Sequence, residues 1–259
     1  MLHSVIPFQL KEYMVWISAN VNGHQLSGIL DSDSDETYLD DKTGQRLTSI
    51  KPREHFGNVP GDAVEDIQSM PVSFDLGPST VLTSQKPKII EIENRYPGMH
   101  FILGFDAIGK TPFTLDYSKN LIQLGTIPQG PTVAFPSKSE LPSLSIKISN
   151  IQVNSVVDTG SPAGLDLPFG WVKSNLPAAR FQEAVGRRDL GPRFAAHPFS
   201  LREIQIGSVK LSNVKAEAIQ DKTHPRGQPD EWATIGNRIL SGFAQVGIDG
   251  PGRKCVFIS

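Results

Sequence analysis

The chain has 259 residues, which is enough for one large domain or for two lobes of about 100–150 residues each. Hydrophobic residues make up 38% of the sequence and charged residues 20%, and the formal net charge is −2 at pH 7. This balance is typical of a globular protein and argues against a strongly basic surface for nucleic acid or for an anionic membrane. The 23 glycines and 20 prolines favour many short strands joined by turns.

The first predicted elements form a hairpin. An alternating run, ISANV, leads into the turn Asn22-Gly23, and a second run, HQLSGIL, ends at Asp31. Asn-Gly between two alternating runs is a strong hairpin signal. The same order recurs later, where LSIKI, a turn at Ser149-Asn150 and IQVNSVV lead to Asp158. The sequence therefore predicts one supersecondary unit used twice, at a period far longer than that of solenoid repeats.

The later parts of the two units also correspond. Gly104 follows the apolar run FIL, and Gly236 follows ATI at the matching place in the second unit. Short helices are expected directly after these two glycines, where DAIGK and NRILSGF interrupt the strand pattern. Another helix is expected within residues 170–185, where Pro177 would interrupt it.

A proline-rich segment separates the two units. Residues 126–142 carry four prolines and little charge, which indicates an extended linker. The sequence therefore predicts an all-β protein, mostly strand with a few short helices. Its predicted parts are an N-terminal lobe over residues 1–128, a linker over 129–138 and a C-terminal lobe over 139–259.

We expect no disulfide, membrane span, metal or cofactor from this sequence. The single cysteine, Cys255, excludes an intramolecular disulfide, and we expect it to be buried and inert in the last strand. No apolar run approaches the roughly 20 residues of a membrane span. The start of the chain shows no signal peptide, and export stays open for a form that begins after a removed signal. The histidines have no metal-ligand spacing, and we expect no metal and no cofactor.

Each unit carries an Asp at the end of a strand and an apolar pair with Gly further on. The first has Ile29-Leu30-Asp31-Ser32-Asp33-Ser34 and then Ile102-Leu103-Gly104. The second has Val156-Val157-Asp158-Thr159-Gly160-Ser161 and then Thr234-Ile235-Gly236. Over nearly its whole length the chain resembles the pepsin-like and retropepsin-like aspartic proteases, as a short two-lobed member of bacterial type. The resemblance implies a bilobal pepsin-like acid protease fold with two lobes related by a pseudo-twofold axis.

The resemblance also implies an endopeptidase whose catalytic pair is Asp31 and Asp158. Two carboxylates about 3 Å apart cannot both ionise, so they share one proton. The ionised carboxylate acts as a general base on water, and the protonated one acts as a general acid. One Asp from each lobe supplies this pair, which explains why the unit occurs twice.

The residues around the two aspartates receive supporting roles from the resemblance. The hydroxyls of Ser32 and Thr159 bond across to the opposite loop, and those of Ser34 and Ser161 reach the outer carboxylate oxygens. Gly160 allows the two loops to approach closely. The later glycines let one strand pass through the loop that carries the Asp, and they are Gly104 and Gly236.

Asp33 departs from the family pattern because it occupies the position of a Gly. A third carboxylate beside the pair would raise the pKa values of the pair by like-charge repulsion. Three outcomes are open at this point. The side chain turns outward and activity survives, the pair titrates at higher pH, or the protein is a catalytically impaired peptide-binding relic.

A substrate-covering flap is expected over residues 55–67 of the first lobe. Its candidate substrate-binding residues are Phe56, Gly57, Asn58, Val59 and Gly61. The expected substrate is an extended peptide or an unfolded protein, and the expected state is a monomer because two lobes complete the pair.

Three other interpretations compete for the same sequence. DSDSDE begins like a calcium loop, but Glu36 stands where that loop requires Gly, and Lys42 where it requires Glu. An acidic surface turn is the alternative for Asp31 alone. GFDAIGKT, residues 104–111, matches a nucleotide-binding loop, yet Pro112 follows at once and the surroundings show no β-α-β alternation.

Overall fold

A computed structural model describes residues 4–48, 71–78, 80–136, 139–188, 193–220 and 233–259. About 50% of it is strand and about 10% helix, which confirms the predicted all-β class. In the first half the strands are β1 (Val5–Pro7), β2 (Gln9–Lys11), β3 (Met14–Val21), β4 (His24–Leu30), β5 (Tyr38–Asp40), β6 (Val72–Asp75), β7 (Val81–Ser84), β8 (Lys88–Ile90), β9 (Phe101–Leu103), β10 (Phe113–Asp116) and β11 (Leu121–Leu124).

The remaining strands are β12 (Thr132–Ala134), β13 (Ser143–Ile148), β14 (Ile151–Val157), β15 (Leu165–Pro168), β16 (Val185–Arg188), β17 (Arg193–Ile206), β18 (Val209–Gln220), β19 (Ala233–Ile235), β20 (Gln245–Asp249) and β21 (Lys254–Ile258). The helices of the described residues are α1 (Asp41–Thr48), α2 (Phe105–Ile108), α3 (Phe169–Asn175) and α4 (Asn237–Leu240).

Both predicted hairpins are confirmed. β3 pairs antiparallel with β4 up to Val21 and His24, so the connecting loop has two residues, Asn22 and Gly23. Both loop residues have positive φ, 51° and 84°, as a type I′ turn requires. β13 and β14 are also joined by a two-residue loop, in which Ser149 has a positive φ of 57°.

The two halves repeat the same strand pairing. β9 lies parallel to β4 and antiparallel to β5, and β5 lies parallel to β8. In the second half β19 lies parallel to β14 and antiparallel to β15, and β15 lies parallel to β18. β9, which precedes Gly104, therefore lies between β4 and β5. In the same way β19, which precedes Gly236, lies between β14 and β15. This central position requires an apolar strand, and all three residues of β9 are buried.

Three sheets organise the described chain. An eight-stranded sheet draws its strands from residues 9–103, and a seven-stranded sheet draws them from residues 143–235. A six-stranded sheet, in the order β1-β11-β10-β20-β21-β12, contains strands of both halves. Its central pair joins the halves, since Phe113 lies opposite Ile248 and Asp116 opposite Gln245. The predicted linker contributes β12 to this sheet, and the proposed domain boundaries stay predictions.

The short helices follow the predicted positions in three cases. α2 starts directly after Gly104, α4 directly after Gly236, and α3 ends before Pro177. The sequence does not predict α1, because DKTGQRLT contains a single large apolar residue, Leu47. No helix in the described part of the chain is long and apolar enough to cross a membrane.

Candidate active site

Asp31 and Asp158 occupy equivalent places at the carboxyl ends of β4 and β14. The amide of Asp31 donates a hydrogen bond to the carbonyl of Leu103 at 3.0 Å. The amide of Asp158 donates to the carbonyl of Ile235 at 2.9 Å. Each Asp is therefore fixed to the strand that directly precedes the later Gly of its own half, which is β9 for Asp31 and β19 for Asp158. Both side chains are partly exposed, so water reaches this region.

The loops that carry the two aspartates are joined by reciprocal hydrogen bonds. The amide of Ser32 donates to Thr159 Oγ1 at 3.0 Å, and the amide of Thr159 donates to Ser32 Oγ at 3.2 Å. The Thr159 hydroxyl donates to the carbonyl of Leu30 at 2.8 Å, and the Ser32 hydroxyl donates to the carbonyl of Val157. Both hydroxyl residues are completely buried. Each lies against the loop of the other half, as the resemblance implies.

Backbone amides orient the two carboxylates. Asp31 Oδ1 accepts hydrogen bonds from the amides of Asp33 at 3.0 Å and Ser34 at 3.2 Å. Asp158 Oδ1 accepts one from the amide of Gly160 at 2.9 Å. Asp33 and Gly160 therefore have the same backbone role, although their side chains differ.

Gly160 lies directly against the first carboxylate. A Cβ added at Gly160 would lie 2.5 Å from both Cγ and Oδ2 of Asp31, far inside ordinary contact distance. The second loop thus reaches the Asp31 side chain across the boundary between the halves. Only a residue without a side chain allows this approach.

Asp33 occupies the position in the first loop that Gly160 occupies in the second. Asp33 is a partly buried residue, and it adds a third carboxylate to the two of the proposed pair. Its backbone keeps the amide contact with Asp31, and the reciprocal bonds of Ser32 are also formed. The departure from Gly therefore leaves the frame of the loop intact and changes its charge.

The later glycines pack against the loops that carry the aspartates. A Cβ at Gly104 would lie 2.2 Å from the carbonyl oxygen of Glu36, and one at Gly236 would lie 2.5 Å from that of Ala163. These distances explain why both positions need Gly, as the resemblance implies.

Of the two serines three positions after the aspartates, Ser34 differs from the expectation, and the bond from the Ser161 hydroxyl to the outer oxygen of Asp158 stays a prediction. The Ser34 hydroxyl donates to the carbonyl of Glu36 at 2.6 Å, so its single proton is not available to Asp31. Ser34 supports Asp31 through its backbone amide instead. Ser161 Oγ accepts a hydrogen bond from the amide of Ala163 at 3.1 Å, which tightens the second loop.

Some residues near the site carry no motif signal in the sequence. Thr37 and Asp106 support the first loop, since Thr37 Oγ1 accepts from the amide of Gly104 at 3.1 Å and donates to Asp106 Oδ1 at 2.6 Å. Asn237 supports the second loop by donating from Nδ2 to the carbonyl of Thr159 at 2.7 Å. These three residues can be identified only from the contacts of the folded chain, because polar residues near a Gly also suit ordinary turns.

Tyr38 lies within electrostatic reach of the Asp31 loop. Burial raises the pKa of its phenol, and the negative charge of Glu36 raises it further, with smaller effects from Asp35 and Asp31. Lys88 opposes this pKa increase and forms an ion pair with Glu36. The first loop therefore has a negative electrostatic environment that Lys88 offsets in part.

The competing interpretations find little support in the described residues. No group of three or more His, Cys, Asp or Glu side chains within them could hold a metal ion. In GFDAIGKT the helix starts at Phe105, inside the motif, and its amides are used internally: Phe105 donates to Ser34, and Gly109 donates to Phe105. These amides do not form a phosphate cradle.

The flap residues Phe56, Gly57, Asn58, Val59 and Gly61 lie outside the described residues. No protein-family model matches the chain, and no curated protein sequence is significantly similar to it.

Proposed function

We propose that this protein is an aspartic endopeptidase in which Asp31 and Asp158 form the catalytic pair. The observation that carries the proposal is the approach of the second loop to the first carboxylate. Gly160 has room for no Cβ against Asp31, and the reciprocal bonds of Ser32 and Thr159 hold the two loops in this arrangement. The resemblance of both motifs to those of aspartic proteases supports the same assignment.

The proposed reaction uses one shared proton. The ionised carboxylate removes a proton from water, and the water oxygen attacks the carbonyl carbon of the peptide. The protonated carboxylate polarises the carbonyl oxygen. When the C–N bond breaks, a proton passes to the leaving amine, and the products are a carboxylic acid and an amine. The amides of Asp33 and Gly160 hold the carboxylates in orientation during these steps.

The proposed substrate is an extended peptide or an unfolded protein. An extended backbone offers carbonyl and amide groups that pair with strand-like protein edges, and such pairing gives affinity with little dependence on sequence. The partial exposure of Asp31 and Asp158 supports access by such a segment.

The carboxylate that Asp33 adds to the first loop favours a second candidate function. On this alternative the protein binds peptides at the same site but cleaves them poorly, because a third negative charge disturbs the shared proton. The intact backbone frame around Asp33 supports the enzyme over the relic.

Cleavage of a denatured protein between pH 3 and pH 7 tests the proposal. The assay compares the parent and Asp158→Asn, with and without a transition-state inhibitor of aspartic proteases. The proposal predicts inhibitor-sensitive cleavage by the parent and its loss in Asp158→Asn. Cleavage by Asp33→Gly alone supports the peptide-binding alternative. If neither the parent nor Asp33→Gly cleaves or binds the denatured protein, the protease assignment is wrong.

A further inference from the structure

The loop that carries Asp158 is held by a buried side chain that follows Gly236. Asn237 is the first residue of α4 and is completely buried. Its Nδ2 donates to the carbonyl of Thr159 at 2.7 Å and lies 3.4 Å from the carbonyl of Ser161. These two carbonyls flank Gly160, whose amide donates to Asp158 and where an added Cβ would clash with the Asp31 carboxylate. Asn237 therefore fixes the short segment that touches both carboxylates.

The oxygen of the Asn237 side-chain amide accepts a hydrogen bond from a residue of the first half of the chain. The hydroxyl of Tyr117 donates to Asn237 Oδ1 at 2.6 Å. The direction of this bond is determined, because the carbonyls of Thr159 and Ser161 only accept and the amide nitrogen must face them. Burial raises the pKa of the Tyr117 phenol, so the hydroxyl stays protonated at the pH values of any assay here.

Tyr117 is itself anchored in the six-stranded sheet that both halves share. It follows β10, its amide donates to the carbonyl of Ala244 at 3.0 Å, and its ring packs edge-on against Phe8 with 5.7 Å between centroids. A continuous chain of contacts therefore runs from the shared sheet through Tyr117 and Asn237 to the Asp158 loop.

The first half uses a different support at the corresponding place. Phe105 follows Gly104 there, and the polar contacts come from Thr37 and Asp106 of the same half. The support of the Asp158 loop through Asn237 thus differs from that of the Asp31 loop, because it depends on a hydroxyl from the opposite half.

We propose that Tyr117 and Asn237 are positioning residues that set the place of Asp158 relative to Asp31 from the shared sheet. This inference rests on the proposed endopeptidase function. Both residues act through the carbonyls on either side of Gly160 and not by touching substrate. Their loss displaces the second carboxylate and lowers the rate of the chemical step more than substrate binding.

The test compares the parent with Tyr117→Phe and Asn237→Asp, using a peptide substrate and measuring kcat, KM, the pH–rate profile and Tm. Tyr117→Phe removes one hydrogen bond and keeps the ring, so kcat falls about three- to tenfold with KM nearly unchanged. Asn237→Asp keeps the acceptor for Tyr117 and replaces the donor to Thr159 by a carboxylate oxygen, so kcat falls further and the pH–rate profile shifts. The matched control is Tyr13→Phe. The face of the Tyr13 ring packs on Arg238, which lies in α4 together with Asn237, and the substitution keeps this ring.

All assays are run at a temperature at which each variant is fully folded. If Tyr117→Phe keeps the parent kcat and pH–rate profile while only Tm falls, the two residues have a structural role alone and the inference is overturned. Equal losses in Tyr13→Phe and Tyr117→Phe also overturn it. If the parent and Asp33→Gly show no inhibitor-sensitive cleavage, the proposed function itself has failed, and this result is distinct from both.

Discussion

Replacing Gly160 by Ala tests the closest contact of the candidate site. The added Cβ would lie 2.5 Å from Cγ and Oδ2 of Asp31 and 3.0 Å from its Cβ, whereas ordinary contacts lie at 3.4–4 Å. The two loops must therefore separate by about 1 Å. A misplacement of about 1 Å costs about 100-fold in rate, which corresponds to about 2.7 kcal/mol of transition-state stabilisation. Overpacking also lowers the free energy of unfolding by about 1–3 kcal/mol.

The measurement is kcat/KM on a peptide substrate together with the Tm of the folded protein. The matched control is Gly170→Ala in α3, where an added Cβ meets nothing within 4 Å and Ala favours the helix. This control is expected to keep full activity and to gain slightly in stability. If Gly160→Ala also keeps full activity and stability, the loops are not in the close contact on which the proposed catalytic pair depends.

Three further predictions concern the loops and the shared sheet. Asp33→Gly raises kcat/KM and moves the pH–rate profile to lower pH, since a negative charge beside the pair is removed; an unchanged profile contradicts this. Thr159→Val leaves the Ser32 amide and the Leu30 carbonyl without their partner. It lowers the free energy of unfolding by about 2–4 kcal/mol in denaturant titrations. Thr83→Val changes it little, because it removes only a solvent-exposed bond between the hydroxyls of Thr83 and Ser73. Burial alone would raise the pKa of Asp116, but hydrogen bonds from Ser118 and Gln245 and the charge of Lys119 lower it. Because the pKa of Asp116 is lower in the folded protein than in the unfolded chain, its ionised carboxylate stabilises the fold at pH values above the pKa of the unfolded chain. Asp116→Asn is therefore less stable than the parent at pH 7. The difference shrinks as pH falls below about 4 in pH-dependent melting curves; a constant difference argues against this role.

The repeated unit was readable from the sequence because its signals are local. Asn22-Gly23 fixes a two-residue hairpin, and the apolar run before Asp31 marks a buried strand. The recurrence of both features before Asp158 then predicts two equivalent halves. The short helices after Gly104 and Gly236 follow from the same correspondence.

Other features were not predictable because they arise from contacts distant in sequence. The pairing of β10 with β20, and of β12 with β21, depends on how the two halves meet. The bond from Tyr117 to Asn237 joins residues 120 positions apart, and neither residue belongs to a motif. The Ser34 hydroxyl turned to Glu36 instead of Asp31, because a nearby carbonyl competes for its single proton.

In the proposed mechanism, Asp31 and Asp158 act as one unit. The most direct measurement is kcat/KM for Asp31→Asn, Asp158→Asn and the double variant, each in the parent and in the Asp33→Gly background. A shared proton predicts that either single substitution abolishes cleavage as fully as the double, because residues that share one proton lose their function together. Substantial activity in either single variant, or losses that multiply in the double, would contradict it.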